Sequence, residues 1–191
     1  MALFTQISSG IYKGKKLNLP SLDTTRSTKS IVKGSVFDSL RYELQGKVFI
    51  ECFGGSGVMA LEALSNGAKN VYAIEIDKKA YKITKDNFNI FGICNFAINN
   101  DCFIELPKLL SIINDEIILY FDPPFEIRSG FDDIYQKTIN LIEKISKFEN
   151  INLICIEHQS SVKFSEIIGN FKFKKTRKFG ATSITFLERK L

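Results

Sequence analysis

A chain of 191 residues, 45% hydrophobic and 25% charged, has enough apolar surface for one full core near the size of a single α/β domain. No apolar run approaches the roughly 18 residues that cross a bilayer, and Met1 to Lys16 lack the apolar core of a signal peptide, so a membrane partner is excluded and a cytoplasmic location is expected. The net charge of +5 comes from the N-terminal quarter, where residues 1–47 hold eight Lys and Arg against three Asp and Glu, a distribution that fits a basic arm for a polyanion or, equally, a solvated surface.

In chain order, residues 7–12 and 15–19 flank Gly14 and read as a short hairpin. A helix near 29–44 follows, with Thr25 or Ser27 as its N-cap. On that helix Lys29 and Lys33 share an arc with Val32, Val36, Phe37, Leu40 and Leu44. Two lysines on a buried stripe are costly, so either the first turn overhangs the core and points them into a cleft, or the helix frays or starts later.

From residue 48 the chain alternates: strand 48–53, helix 57–66, strand 70–76, helix 78–90, strand 95–99, helix 103–113, strand 117–122, helix 131–148 and strand 151–157. Such alternation predicts a doubly wound, mainly parallel sheet. Residues 171–177 and 183–188, joined by a short link containing Gly180, predict an antiparallel hairpin at its end. The expected organisation is a basic hairpin-helix extension over 1–46 and a catalytic body over 47–191. Cys52, Cys94, Cys102 and Cys155 include no Cys-x-x-Cys pair and His158 is the only histidine, so neither a zinc site nor a disulfide framework is signalled.

Two motifs carry chemistry. The apolar run 48–53 opens into Gly54-Gly55-Ser56-Gly57, and an acid, Glu75, ends the next strand about 20 positions on. S-adenosylmethionine has no phosphate, so its glycine loop serves close backbone approach, while Glu75 can accept both ribose hydroxyls. Asp77 is assigned to capping the next helix. Asp101 either accepts from the adenine amine or caps the helix that follows.

The second motif is Asp122-Pro123-Pro124-Phe125, closing the run 117–121. An exocyclic amine on a base is a poor nucleophile because its lone pair is delocalised into the ring. Acceptors on its hydrogens, here the Asp122 carboxylate and the Pro123 carbonyl, draw the nitrogen toward a tetrahedral shape. Two prolines fix the backbone, and Phe125 can stack on the extruded base. Together the motifs point to methyl transfer onto a nucleobase amine, with no metal. His158 and the basic run 172–178 are read as a loop residue and a solvated strand edge, either of which can touch substrate phosphate.

Several segments resemble the RsmD-type bacterial methyltransferases. Ile11-Tyr12-Lys13-Gly14-Lys15-Lys16-Leu17 is similar to the family's opening motif. Arg26 and Thr28 fall on its Arg-Pro-Thr, with Ser27 in place of the proline, and Lys33 and Phe37 fall on the basic and Phe positions of its first helix. Glu51-Cys52-Phe53-Gly54-Gly55-Ser56-Gly57 resembles its Asp-x-Phe-Ala-Gly-Ser-Gly, followed by Leu61-Glu62-Ala63-Leu64. Ile74-Glu75-Ile76-Asp77, Phe121 to Phe125 and Lys178-Phe179-Gly180 match further positions.

The resemblance implies a class I S-adenosylmethionine-dependent methyltransferase fold, α/β and Rossmann-like, acting on the N2 amine of a guanine in 16S ribosomal RNA. It implies catalytic residues Asp122, Pro123, Pro124 and Phe125; cofactor contacts from Glu51, Phe53, Gly54, Gly55, Gly57, Glu75, Ile76, Asp101 and Cys102; and RNA contacts from Lys13, Lys15, Arg26, Thr28, Lys29 and Lys33. The expected partner is 16S ribosomal RNA within a small-subunit particle or assembly intermediate, and the expected state a monomer. Two alternatives remain, a DNA adenine or cytosine amino-methyltransferase and a non-catalytic RNA-binding assembly factor.

Overall fold

In the computed structural model, which describes residues 3–20, 26–124 and 133–190, with the backbone alone for 26–29, the predicted alternation becomes a sheet between two helical layers. The extension comprises β1 (Leu3–Gln6), β2 (Lys16–Leu19) and α1 (Arg26–Leu40). The body follows as β3 (Val48–Cys52), α2 (Val58–Ser65), β4 (Asn70–Glu75), α3 (Lys78–Asn89), β5 (Ala97–Asn99), α4 (Cys102–Leu110), β6 (Ile117–Phe121), α5 (Ile134–Ile145) and β7 (Ile151–Gln159). It ends with β8 (Ile167–Ile168), β9 (Phe171–Phe179) and β10 (Thr182–Arg189). No helix among the described residues is long and apolar enough to cross a membrane.

The large sheet runs β5-β4-β3-β6-β7-β10-β9-β8, parallel from β5 to β7 and antiparallel where β10 joins β7 and β9. Every residue of β3 and β6 is buried, which is why both read as unbroken apolar runs rather than alternating ones. α1, α2 and α3 cover one face, where Val36, Leu40, Leu61 and Phe88 pack on Phe49, Tyr120, Ile184 and Phe186. α4 and α5 cover the other, where Leu106, Leu141 and Ile142 pack on Ile50, Leu119 and Ile154. Ile7 and Leu17 of the extension belong to the first of these cores.

The chain winds outward from β3 in one direction and from β6 in the other, so the crevice at the carboxyl ends of these two neighbours is a topological switch point. Both chemical motifs leave the sheet there.

The N-terminal elements differ from expectation. β2 pairs with Leu3–Gln6, while the 7–12 segment turns away because Ser8 and Ser9 are drawn onto the buried Glu62. The helix starts at Arg26 and ends at Leu40, four residues early, where the amides of Glu43 and Leu44 close a turn on the Leu40 carbonyl. β8 went unpredicted because two residues carry no readable alternation.

Candidate active site

β3 and β6 pair in parallel register, Cys52 opposite Phe121, and the Asp122 amide donates to the Cys52 carbonyl at 3.4 Å. The glycine loop and the Asp-Pro-Pro turn therefore leave the sheet side by side. The loop opens with Phe53 at φ +64°, a left-handed conformation that is uncommon for a side chain of this size. Its ring packs edge-on against Phe103 at 5.7 Å.

Gly54 donates to the Ile74 carbonyl at 2.7 Å, tying the loop to β4. Gly57, at φ +71°, has no room for a side chain: a Cβ there would lie 2.6 Å from the Phe88 ring. Gly55, at φ +54°, faces open space instead, with nothing within 4 Å of a Cβ. Packing thus fixes the back of the loop and leaves its front clear for a ligand.

Two acids hold the loop. Glu75, 8% exposed, accepts from the Gly55 amide at 2.6 Å and the Asp77 amide at 2.7 Å. Glu51 accepts from Ala60 at 2.8 Å and Met59 at 3.4 Å, satisfying amides of the first turn of α2. Burial pushes the Glu51 carboxyl up to about 8 against those hydrogen bonds, with the charges of Asp122 and Glu75 adding to the rise.

This pattern discriminates between ligands. In a phosphate cradle the loop and helix-terminal amides stay open to an anion. Here Glu75 occupies the Gly55 amide and the Glu51 carboxyl those of Met59 and Ala60, so these donors are closed to a pyrophosphate and a phosphate-free ligand is favoured. The residues fit S-adenosylmethionine by this donor set and by the cleared space at Gly55. Ile76, 65% exposed beside Glu75, offers an apolar surface for a ring.

Asp77 caps α3 through Lys79 and Ala80, as expected. Asp101 caps α4 by accepting from Phe103 at 2.9 Å, the second of its two expected roles. The Cys102 side chain, 4% exposed, packs into the core under α4 beside Leu106, which leaves its backbone to make the expected cofactor contact. Asp122 is half-buried, Pro123 buried and Pro124 half-buried; Phe125 lies outside the described residues. Beside them the Tyr120 hydroxyl donates to Glu157 at 2.6 Å.

Lys13 and Lys15 are exposed on the turn of the extension, whereas the side chains of Arg26, Thr28 and Lys29 lie outside the described residues. Lys33 is a correction. An open cleft does run between β1 and α1, lined by Phe4, Gln6, Lys13, Ser30 and Lys33. Yet the Lys33 ammonium is 2.7 Å from Glu62 and donates to the Gln6 carbonyl at 2.7 Å, and with 6% exposure it has no reach for RNA.

The sequence reading missed three supporting residues. Glu62, fully buried, gathers the Ser8 and Ser9 donors and Lys33. Thr84 donates to the Gly55 carbonyl at 2.9 Å. Asn87 donates to the carbonyls of Ser56 and Asn18 and accepts from the Asn18 amide. A lone acid inside the otherwise apolar 58–64 segment was the available signal for Glu62. Thr84 and Asn87, three apart on one helix face, were the signal for the other two.

A family model described as Conserved hypothetical protein 95 matches residues 5–188. Ribosomal RNA small subunit methyltransferase D of Buchnera aphidicola from Acyrthosiphon pisum is 29% identical over 154 residues, covering 80% of this chain and 77% of that protein. The protein of the same name from Escherichia coli K12 is 26% identical over 96% of this chain and 89% of its own length. Among solved structures, the candidate methyltransferase yhhF of Escherichia coli superposes with a TM-score of 0.74 at 24% identity, covering 97% of this chain and 98% of that one. The 16S rRNA N2 G1207 methyltransferase RsmC of Thermus thermophilus, solved with AdoMet and guanosine, gives 0.67 at 14% identity over 100% of this chain and 50% of its own. These likenesses identify the fold as the class I methyltransferase type.

Proposed function

Because the chain belongs to the family described as Conserved hypothetical protein 95, we propose that it transfers a methyl group from S-adenosylmethionine to the exocyclic N2 amine of a guanine in 16S ribosomal RNA, acting as a monomer on a small-subunit particle. The observation that carries this reading is the abutment of two loops in one crevice: a glycine loop whose amides are closed to phosphate, and Asp122-Pro123 on the neighbouring strand.

S-adenosylmethionine, when bound, supplies an electrophilic methyl on a sulfonium, whose positive charge is discharged as the carbon–sulfur bond breaks. Glu75 receives the ribose hydroxyls beside the loop. Asp122 and the Pro123 carbonyl accept the hydrogens of the guanine amine and aim its nitrogen at the methyl. The relatives' names support ribosomal RNA as the substrate class. Lys13 and Lys15 are suited to RNA phosphate.

The test is incubation with labelled S-adenosylmethionine and small-subunit particles from a strain lacking the gene, followed by nucleoside analysis. Label is expected in N2-methylguanosine, and Asp122→Ala should reduce it by about 10²–10³-fold while cofactor binding persists. Preferential label in DNA amines, or full turnover by Asp122→Ala, overturns the assignment.

A further inference from the structure

β9 holds five basic residues in seven, and the structure sorts them. Lys172 lies 3.3 Å from Glu188, and Lys174 lies 3.1 Å from Glu188 and 3.4 Å from Glu43. Lys175 sits over the Phe186 ring at 4.9 Å. Arg177 and Lys178 are exposed, and neither has a carboxylate within ion-pair distance among the described residues. Desolvation, and then the charges of Arg177 and Lys174, hold the Lys175 ammonium below its ordinary range, as expected where like charges gather without full neutralisation.

Lysines often guard an unpaired strand edge. β8 covers Phe171 and Lys172 and the Glu166 carbonyl takes the Phe173 amide, so β9 from Lys174 onward is such an edge among the described residues. Edge protection accounts for cations spread along the whole edge. It does not account for neutralising those at one end and leaving those at the other bare.

The bare end is the catalytic end. Tyr120, Cys155, Phe186 and Lys175 form one row across β6, β7, β10 and β9. Two residues further along β7, Glu157 is opposite Ile184, and Ile184 is opposite Arg177. Asp122 follows one residue past the last paired row of β6 and β7, Phe121 with Ile156. Arg177 is thus three strand spacings from the Asp-Pro-Pro turn, about 14 Å, on the face that carries α1, where it donates to Ser35 at 2.9 Å. Lys13 and Lys15 stand apart from it, on the turn of the hairpin whose Tyr12 and Asn18 amides bond to Ser65 of α2 and Asn87 of α3.

We propose that Arg177 and Lys178, at the catalytic end of the β9 edge, form a second RNA-phosphate contact in addition to the hairpin lysines. This rests on the RNA reading above.

The test is filter binding of 16S ribosomal RNA across a salt titration, which needs no turnover, beside methylation of undermodified particles. Arg177→Gln with Lys178→Gln should weaken RNA binding about tenfold and flatten the salt slope by about 1–2. The KM for particles should rise with kcat and cofactor affinity unchanged. Lys172→Gln with Lys174→Gln removes the same charge from the same strand and should change RNA affinity less than twofold. Equal effects from the two pairs, or none from either, overturn the proposal. Wild-type protein that binds RNA but labels only DNA fails the functional reading instead.

Discussion

Lys33 shares a helical arc with Val36 and Phe37, and its fate turns on what lies opposite that arc. Glu62 lies there, buried, and the pair joins the extension to α2 with both charges out of water. Removing one member of such a pair leaves the other uncompensated, at about 3–5 kcal/mol. Lys33→Met should therefore lower the melting temperature substantially yet leave the salt slope of RNA binding unchanged. An RNA defect with unaltered melting would restore Lys33 as a phosphate contact. Glu75 was legible from its position relative to the glycines, and Glu51 from the family resemblance. Glu62 was not, since its Ser8 partner is 54 residues away and nothing in either segment names the other.

Among the elements, α3 ties the glycine loop to the extension. Its buried face supplies Thr84 to the Gly55 carbonyl, and Asn87 to both the Ser56 carbonyl and the Asn18 backbone, 69 residues distant. Asn87→Ala strands three buried or half-buried backbone groups, and we expect a loss of about 2–3 kcal/mol together with weaker S-adenosylmethionine binding. Thermal melts and cofactor titration check this, and unaltered cofactor affinity would limit Asn87 to a structural role. Elements with strong periodicity or full burial, such as β3, β6 and α5, were readable because the local pattern and the final environment agree. The 7–12 segment was misread because its apolar ends resembled a strand while its serines answered to a distant acid.

For the whole molecule, two buried acids shape stability against pH in opposite senses. Glu51 rises from 4.5 to about 8, so the folded state binds its proton more tightly than the unfolded chain, and its contribution falls as pH rises across that window. Burial alone would raise Glu62 as well, but Lys33 and Ser8 outweigh it and hold the carboxyl below 4.5; its contribution is present above that value and lost as pH falls through the lowered one. Wild-type melting temperature should therefore decline between pH 6 and pH 8, and Glu51→Gln, which keeps an acceptor for the α2 amides, should flatten the decline. An identical slope in both proteins would show that Glu51 titrates near its ordinary value. The sheet order carries a consequence for how the chain folds. β10 lies between β7 and β9, so β9 has no route onto the body until β10 fills the intervening slot. The β9–β10 hairpin, closed by a tight turn at Gly180, is a local contact that forms quickly, whereas its seam with β7 joins more distant residues. The hairpin therefore docks as a preformed unit, and until it does the apolar edge of β7 stands open to pairing with another chain.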